Sequence, residues 1–331
     1  MQVVHFNRKP RPHGNYSIEG FYKQIREALK DKIEFTVIEC PYESNGFFKR
    51  LYNALYAAFK QGGINHVTGD VNFLNLFFRK KKNIITILDC VLLDRLTGIK
   101  QKIIKLFWYT IPIARSKYVV AISQATKDEI LKYVKCDPDK IKVIHVSISP
   151  IFHRSDKEFN KQNPIILHIG TALNKNLSGL IKAITGLSCK LVIIGQLNDE
   201  YTKELNDYNI DYENYVNLSD EEMFEQYKSC DMLSFVSTYE GFGMPIVEAN
   251  TVGRAVITSN LLSMPEIAGN AALFVNPFKI DEIRNGIVKL INDDKYRNDL
   301  AENGYINSNR FRLEYISNDY FDLYNQLIKT N

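Results

Sequence analysis

The sequence predicts an α/β protein of two domains, each built on a parallel sheet covered by helices. Three observations carry that expectation. Short apolar, β-branched runs recur along the chain, and the segments between them space their apolar residues helically. The runs fall into two successive series of six. The chain has 331 residues, beyond the size at which one hydrophobic core usually stops growing. Alternation of this kind implies right-handed crossovers and sheets buried on both faces.

In order, the first series occupies 3–6, 35–39, 65–67, 84–88, 118–122 and 142–146. The second occupies 165–170, 190–195, 215–218, 232–236, 255–258 and 273–275. Between them, 147–163 is polar, holds Pro150, Asp156, Lys157, Glu158 and Lys161, and reads as a linker. The end of the chain sets Phe311, Tyr315, Tyr320, Phe321, Tyr324 and Leu327 at helical spacings, which is a packing pattern. The domains are expected at 1–150 and 151–311, with a helix at about 312–331 crossing back to the first. Ligands of open parallel sheets sit beyond the carboxyl ends of the strands, so function is sought in the loops that follow strands.

The composition, 45% hydrophobic and 24% charged, excludes a disordered, collagenous or disulfide-stapled chain. The five cysteines are scattered without paired spacing, which fits a reducing cytoplasmic compartment and not a cysteine-ligated zinc site. The first apolar run is too short for a signal peptide, and no later one approaches about 18 residues, so neither export nor a spanning helix is expected. Net charge is only +4, yet residues 1–155 carry 26 Lys and Arg against 13 Asp and Glu, and the remainder 16 against 25. A basic half suits an anionic partner surface, or is simply a solvated face.

The most informative segment is Tyr-Glu-Gly-Phe-Gly-Met-Pro-Ile-Val-Glu at 239–248, a loop opening a helix. Gly241 and Gly243 let the backbone approach a ligand, and Pro245 suits a first helical turn, where its missing N–H would have no partner. The helix start then offers free amides and a positive dipole to an anion. Glu240 precedes the loop and Glu248 lies about one turn into the helix, so both carboxylates can border one pocket and accept sugar hydroxyls.

Glu240 and Glu248, in Glu-Gly-Phe-Gly-Met-Pro-Ile-Val-Glu, resemble the paired-glutamate signature of retaining glycosyltransferases of family 4. Leu-His-Ile-Gly-Thr at 167–171 followed by Asn-Lys-Asn-Leu at 174–177 is similar to that family's strand, loop and helix for the donor diphosphate. Leu-Val-Ile-Ile-Gly at 191–195 and Ser-Met-Pro-Glu-Ile-Ala-Gly at 263–269 resemble further family blocks. The resemblance implies an α/β fold of the GT-B type, two Rossmann-like domains with parallel sheets facing across a cleft, the first for the acceptor and the second for the donor.

It also implies an activity: transfer, with retention, of a sugar from a nucleotide diphosphate sugar to a hydroxyl acceptor. The setting it implies is bacterial surface polysaccharide (capsule, O-antigen or exopolysaccharide) biosynthesis. Lys175 would support the leaving diphosphate, Glu240 the transferred sugar and Glu248 the ribose. Gly170, Thr171, Gly241, Phe242, Gly243 and Met244 would complete donor binding, with the base near Gly195 and 216–219. Physically, an ammonium beside helix amides stabilises the charge that grows on the leaving phosphate. No cofactor and no metal are expected, since no Asp-x-Asp pair occupies a strand-end loop.

In the first half, Arg-Pro-His-Gly-Asn-Tyr-Ser at 11–17 resembles the family's glycine loop that approaches the donor phosphates and the acceptor, and it makes Gly14 and Asn15 acceptor-side candidates. His66 and Asp89 follow as strand-end candidates, although a lone histidine is more often a core residue. The chain departs from the family pattern twice: Thr171 stands where many relatives have Arg, and Leu88 where many have His. Those departures keep open a non-catalytic nucleotide-sugar or polysaccharide-binding protein of the same fold. A dinucleotide-dependent dehydrogenase is disfavoured, because no Gly-x-Gly-x-x-Gly opens either sheet.

Two basic-aromatic stretches remain. One is 47–60, with Lys49, Arg50, Tyr52, Tyr56 and Phe59; the other is 100–115, with Lys102, Lys105, Phe107, Trp108 and Tyr109. No nucleic-acid motif accompanies them, and a nucleic-acid partner is not expected. They suit an anionic membrane surface, hence a cytoplasmic protein peripheral to the inner face of the cytoplasmic membrane with a saccharide or lipid-linked saccharide acceptor. The alternative is that the rings pack against the first sheet.

Overall fold

The structure, a computed structural model, describes residues 1–9, 17–79 and 82–329. The chain divides into two units, Met1–Ser147 together with the segment from Leu313, and Ile148–Arg312. In the first unit the elements run β1 (Gln2–Asn7), α1 (Ser17–Ala28), β2 (Glu34–Glu39), α2 (Phe47–Phe59), β3 (Ile64–Val67), a 3-10 turn (Asn72–Phe77), β4 (Asn83–Ile87), α3 (Val91–Arg95) and α4 (Gly98–Ile104). A π-helical turn (Lys105–Thr110), α5 (Ile111–Arg115), β5 (Tyr118–Ala121), α6 (Gln124–Tyr133) and β6 (Ile141–Val143) follow.

All six strands pair in parallel in the order β2-β1-β3-β4-β5-β6. β3 and β4 are buried at every residue, and β1 at all but its first, as expected of strands covered on both faces. The strand order reverses between β1 and β3, a point where open sheets offer crevices.

The helix α14 (Leu313–Lys329) packs in this unit, against α1. A buried polar network holds it. Tyr324 meets His5 Nε2 at 3.0 Å and His66 Nδ1 at 2.8 Å through its hydroxyl, while Tyr320 and Tyr22 join hydroxyls at 3.0 Å. His66 Nε2 reaches Thr86 at 2.9 Å, and Tyr22 bonds the same threonine. Buried polar groups left unpaired cost about 1–3 kcal/mol each, so this cluster specifies one seating for the helix.

In the second unit the elements are β7 (Ile165–Ile169), α7 (Leu177–Ile184), β8 (Lys190–Ile194), α8 (Asp199–Asp207), β9 (Tyr212–Tyr215), α9 (Asp220–Ser229) and β10 (Met232–Phe235). They continue with α10 (Met244–Val252), β11 (Ala255–Ser259), α11 (Met264–Ala268), β12 (Leu273–Val275), α12 (Ile280–Asn292) and α13 (Asp294–Ser308). The sheet order is β12-β11-β10-β7-β8-β9, again all parallel, and it reverses between β7 and β10.

Two strands differ from the sequence expectation by more than one residue at an end. The apolar pattern put one at 215–218, whereas β9 is Tyr212–Tyr215. β9 is an edge strand, anchored by polar bonds: Lys190 to Glu213 at 2.5 Å, Tyr215 to Glu213 at 2.8 Å, and Asn214 to the Ile193 carbonyl at 3.0 Å. Apolar periodicity does not register such a strand. β6 likewise begins one residue earlier and ends three residues sooner than expected.

The polar stretch 147–163 is not a free linker, because it lies along the second unit. Phe152 stacks edge-on against Tyr227 at 5.7 Å. Arg254 donates to the Ser155 carbonyl at 2.8 Å, and Lys157 pairs with the buried Asp231, which also accepts from the Ile165 amide at 2.7 Å. Among the described residues no helix is long and apolar enough to cross a membrane.

Candidate active site

β7 and β10 sit side by side where the order of the second sheet reverses, and the loops leaving their carboxyl ends meet. After β7 the chain turns at Gly170, whose φ of +92° only glycine adopts readily. A Cβ there would lie 2.9 Å from Cγ and Cε of Lys175, so the lysine stem runs across the glycine. A 3-10 turn (Leu173–Lys175) and a left-handed Asn176 then open α7. The Asn176 side-chain amide donates to the carbonyls of Val236 at 3.2 Å and Pro277 at 2.8 Å, fastening the helix start to the loops after β10 and β12.

That second loop bends at Gly243, φ +109°, and Pro245 sits in the first turn of α10. Ser263 holds the loop from α11's entry by donating to the carbonyls of Glu240 at 2.9 Å and Phe242 at 2.8 Å. Glu240 is thereby aimed at the first loop. Lys175 Nζ donates to Glu240 Oε1 at 2.7 Å, and Asn174 Nδ2 donates to the same oxygen at 3.3 Å and to the Tyr239 carbonyl at 2.9 Å. The ammonium also stands 4.7 Å from the centre of the Phe235 ring, a cation–π arrangement that holds it over the end of β10. Ion pair and ring together fix a flexible side chain that would otherwise sample many rotamers.

The two glutamates occupy different environments. Glu248 Oε2 accepts from the Tyr227 hydroxyl of α9 at 2.6 Å. Part of the side chain stays exposed, but protein encloses its carboxyl, and this desolvation lifts its pKa to about 7, with nearby Asp220 adding to the rise while Tyr227 and Lys175 oppose it. Below the site, His168 on β7 is wholly buried, and burial with the neighbouring Lys175 charge brings its pKa down to about 4, so it is neutral near pH 7.

The sequence-based candidates fall as follows. Gly170, Lys175, Glu240, Gly241 and Gly243 line this meeting of loops. Thr171 is turned toward the neighbouring strand end, its hydroxyl donating to the Gln196 carbonyl at 2.7 Å. Phe242 points inward, buried against Phe311 at 5.6 Å, and Met244 begins α10. Gly14 and Asn15 lie outside the described residues. His66 is a core residue, fully buried with both ring nitrogens engaged by Tyr324 and Thr86. Asp89 caps the turn after β4 by accepting from the Val91 amide at 3.0 Å. Reading the sequence missed Asn174, Tyr227 and Ser263 as positioning residues. Asn174 and Ser263 stood inside the quoted motifs, but Tyr227 lies on a helix where an aromatic reads as packing.

Residues 151–307 match the family model of glycosyl transferases group 1. Among curated proteins, the chain is 28% identical over 228 residues to O-antigen chain mannosyltransferase B of Escherichia coli, covering 60% of this chain and 58% of that one. It is 30% identical over 185 residues to an O-antigen chain mannosyltransferase of Salmonella typhimurium, covering 54% and 52%. The chain thus spans little more than half the length of these two relatives. Among solved structures, the Anabaena protein HepE in complex with UDP and glucose superposes with a TM-score of 0.81 at 15% identity, over 98% of this chain and all of that one. The two parallel six-stranded sheets and this likeness establish a two-domain GT-B fold.

Proposed function

We propose that this protein is a retaining glycosyltransferase of family 4 that moves a hexose, mannose first among the candidates, from a nucleotide diphosphate sugar to a hydroxyl of a growing bacterial surface polysaccharide. The observation that carries the proposal is the convergence of Lys175, Asn174 and Glu240 at the reversal between β7 and β10. The group 1 match over the same unit and the O-antigen relatives support it.

In this reading Lys175 and the amides at the start of α7 receive the diphosphate. Lys175 is held by one carboxylate oxygen, and a phosphate group would compete for that ammonium. As the bond from sugar to phosphate breaks, negative charge grows on the leaving oxygens, and a preorganised ammonium stabilises that state more than the ground state. Glu240, released from the lysine, accepts hydroxyls of the transferred sugar. Glu248 accepts the ribose hydroxyls, with Tyr227 fixing its rotamer.

Because Lys175 and helix amides serve the diphosphate, transfer is proposed to need no metal; activity lost on EDTA dialysis and restored by Mg²⁺ or Mn²⁺ would contradict this. The acceptor is proposed to be lipid-linked, on the inner face of the cytoplasmic membrane. The test is a screen of nucleotide sugars for transfer or slow hydrolysis, with the anomeric configuration of the product read by NMR. Turnover with a retained anomer is expected. Nucleotide binding without turnover on any acceptor would overturn the enzymatic reading in favour of a binding protein, and an inverted product would overturn retention.

A further inference from the structure

The helix α2 inverts the usual arrangement of a surface helix. The side chains it buries are small, Asn53, Ala54 and Ala57, with Ala58 partly covered. Those it turns outward are large and apolar: Phe47, Phe48, Leu51, Tyr52, Leu55 and Phe59, with Phe48 82% and Phe59 87% exposed. An amphipathic helix packed on a core does the opposite.

The segment 98–110, covering α4 and the π-helical turn, also turns large apolar side chains outward, although it buries large ones as well. Tyr109 is buried, and Ile104 and Trp108 pack on the core. Ile99, Ile103, Leu106 and Phe107 face out, Ile99 at 76% exposure. The two segments adjoin, for the Arg50 guanidinium of α2 stacks on Trp108 at 4.7 Å and Trp108 packs on Phe73 at 5.0 Å. Contiguous apolar surface of this kind marks an interaction site.

Charge decides what covers it. Neither 47–59 nor 98–110 contains an acidic residue, while Lys49, Lys60, Lys100, Lys102 and Lys105 are all exposed. The acids flanking them in sequence are Glu43 and Asp94. A second copy of the chain would oppose basic surface to basic surface. An anionic lipid surface supplies countercharge to the lysines and an acyl boundary to the rings.

We infer that the face formed by α2 and residues 98–110 docks the first unit onto anionic lipid. Phe47, Phe48, Phe59, Ile99 and Phe107 enter the boundary between headgroups and acyl chains, and the five lysines meet the headgroups. This docking is independent of the site in the second unit.

Flotation of the full chain with phosphatidylcholine vesicles, with and without phosphatidylglycerol, tests it. Binding is expected with phosphatidylglycerol at low salt, and to fall at least about five-fold without it or at high salt. The variant Phe48→Ser/Phe59→Ser/Ile99→Ser, altered only at exposed positions, should keep its melting temperature and lose flotation to a similar degree. Absence of binding to anionic vesicles at low salt would overturn the inference. So would flotation that survives in the folded triple variant, or a wild-type dimer that the triple variant dissolves without any lipid binding.

Discussion

Where strand order reverses in the second sheet, an ammonium, an amide and a carboxylate from two loops bond to one another. Where it reverses in the first, Arg8 is held between two acids, 2.6 Å from Glu19 and 3.3 Å from Asp70, and Thr68 bonds Asn7 at 2.6 Å. Topology makes both places candidate crevices. What separates them is charge balance: among the described residues Arg8 bonds two carboxylates, whereas Lys175 bonds one, that of Glu240, and a phosphate group would have one direct ion pair to compete with there. The cores beneath differ as well. His5 and His66 belong to a network that fixes α14, while His168 is a neutral group buried near the Lys175 charge.

The largest effect should come from the second reversal. Lys175→Ala and Glu240→Gln are each expected to lower transfer at least about 100-fold with the fold intact, as for the loss of a charged donor or acceptor acting on the transition state. Rates near wild type in both variants, measured by steady-state turnover, would remove the distinction between the two reversals.

Acid should separate the units next. Burial keeps His5 and His66 neutral in the fold, with His66 down at about 3 and His5 also well below the usual range. An unfolded histidine takes up its proton near pH 6.5, so the stability these residues contribute is complete above that pH and is lost as pH falls toward about 3. In the second unit His168, at about 4, acts the same way. Glu248 acts oppositely: the folded carboxyl holds its proton up to about 7 and the unfolded one releases it above about 4.3, so its contribution is present in acid and lost as pH rises between those values. Lowering pH from about 7 to about 5 should therefore open the first unit before the second. Hydrogen exchange resolved by segment reads this directly, and equal loss of protection would break the contrast.

A smaller effect sharpens the contrast within the site. Donor affinity should rise as pH increases through about 7, where Glu248 ionises, and Tyr227→Phe should move that midpoint upward by removing a hydrogen bond that favours the anion. Glu248→Gln should flatten the profile. Calorimetric titrations at several pH values check this, and an unshifted midpoint in Tyr227→Phe would show that the hydroxyl does not tune the carboxylate.

Much of this was legible in the residues. Gly243 and Pro245 are constrained types whose positions announce a close approach and a helix start, so the loop carrying Glu240 is legible from its own residues, whereas the loop carrying Lys175 is legible through its resemblance to the family's strand, loop and helix. His66 misled because a histidine at a strand end looks available until its partners are known, and those come from Tyr324, 258 residues away. Tyr227 was invisible for the same reason: its hydroxyl meets Glu248 across helices, which no local pattern encodes. The outward faces of α2 and 98–110 were detectable as basic and aromatic, but periodicity alone could not say which side faces the core. The alanines on the other side of α2 decide that, by the shallow space they fill.

The central claim is that donor diphosphate binding resides at the reversal between β7 and β10 and not at that between β1 and β3. Isothermal titration of the nucleotide sugar that supports turnover, against wild type, Lys175→Ala and Arg8→Ala, tests it most directly. The expected result is a Kd raised at least about ten-fold in Lys175→Ala and changed by less than about two-fold in Arg8→Ala. A loss of affinity in Arg8→Ala that equals or exceeds the loss in Lys175→Ala would contradict it.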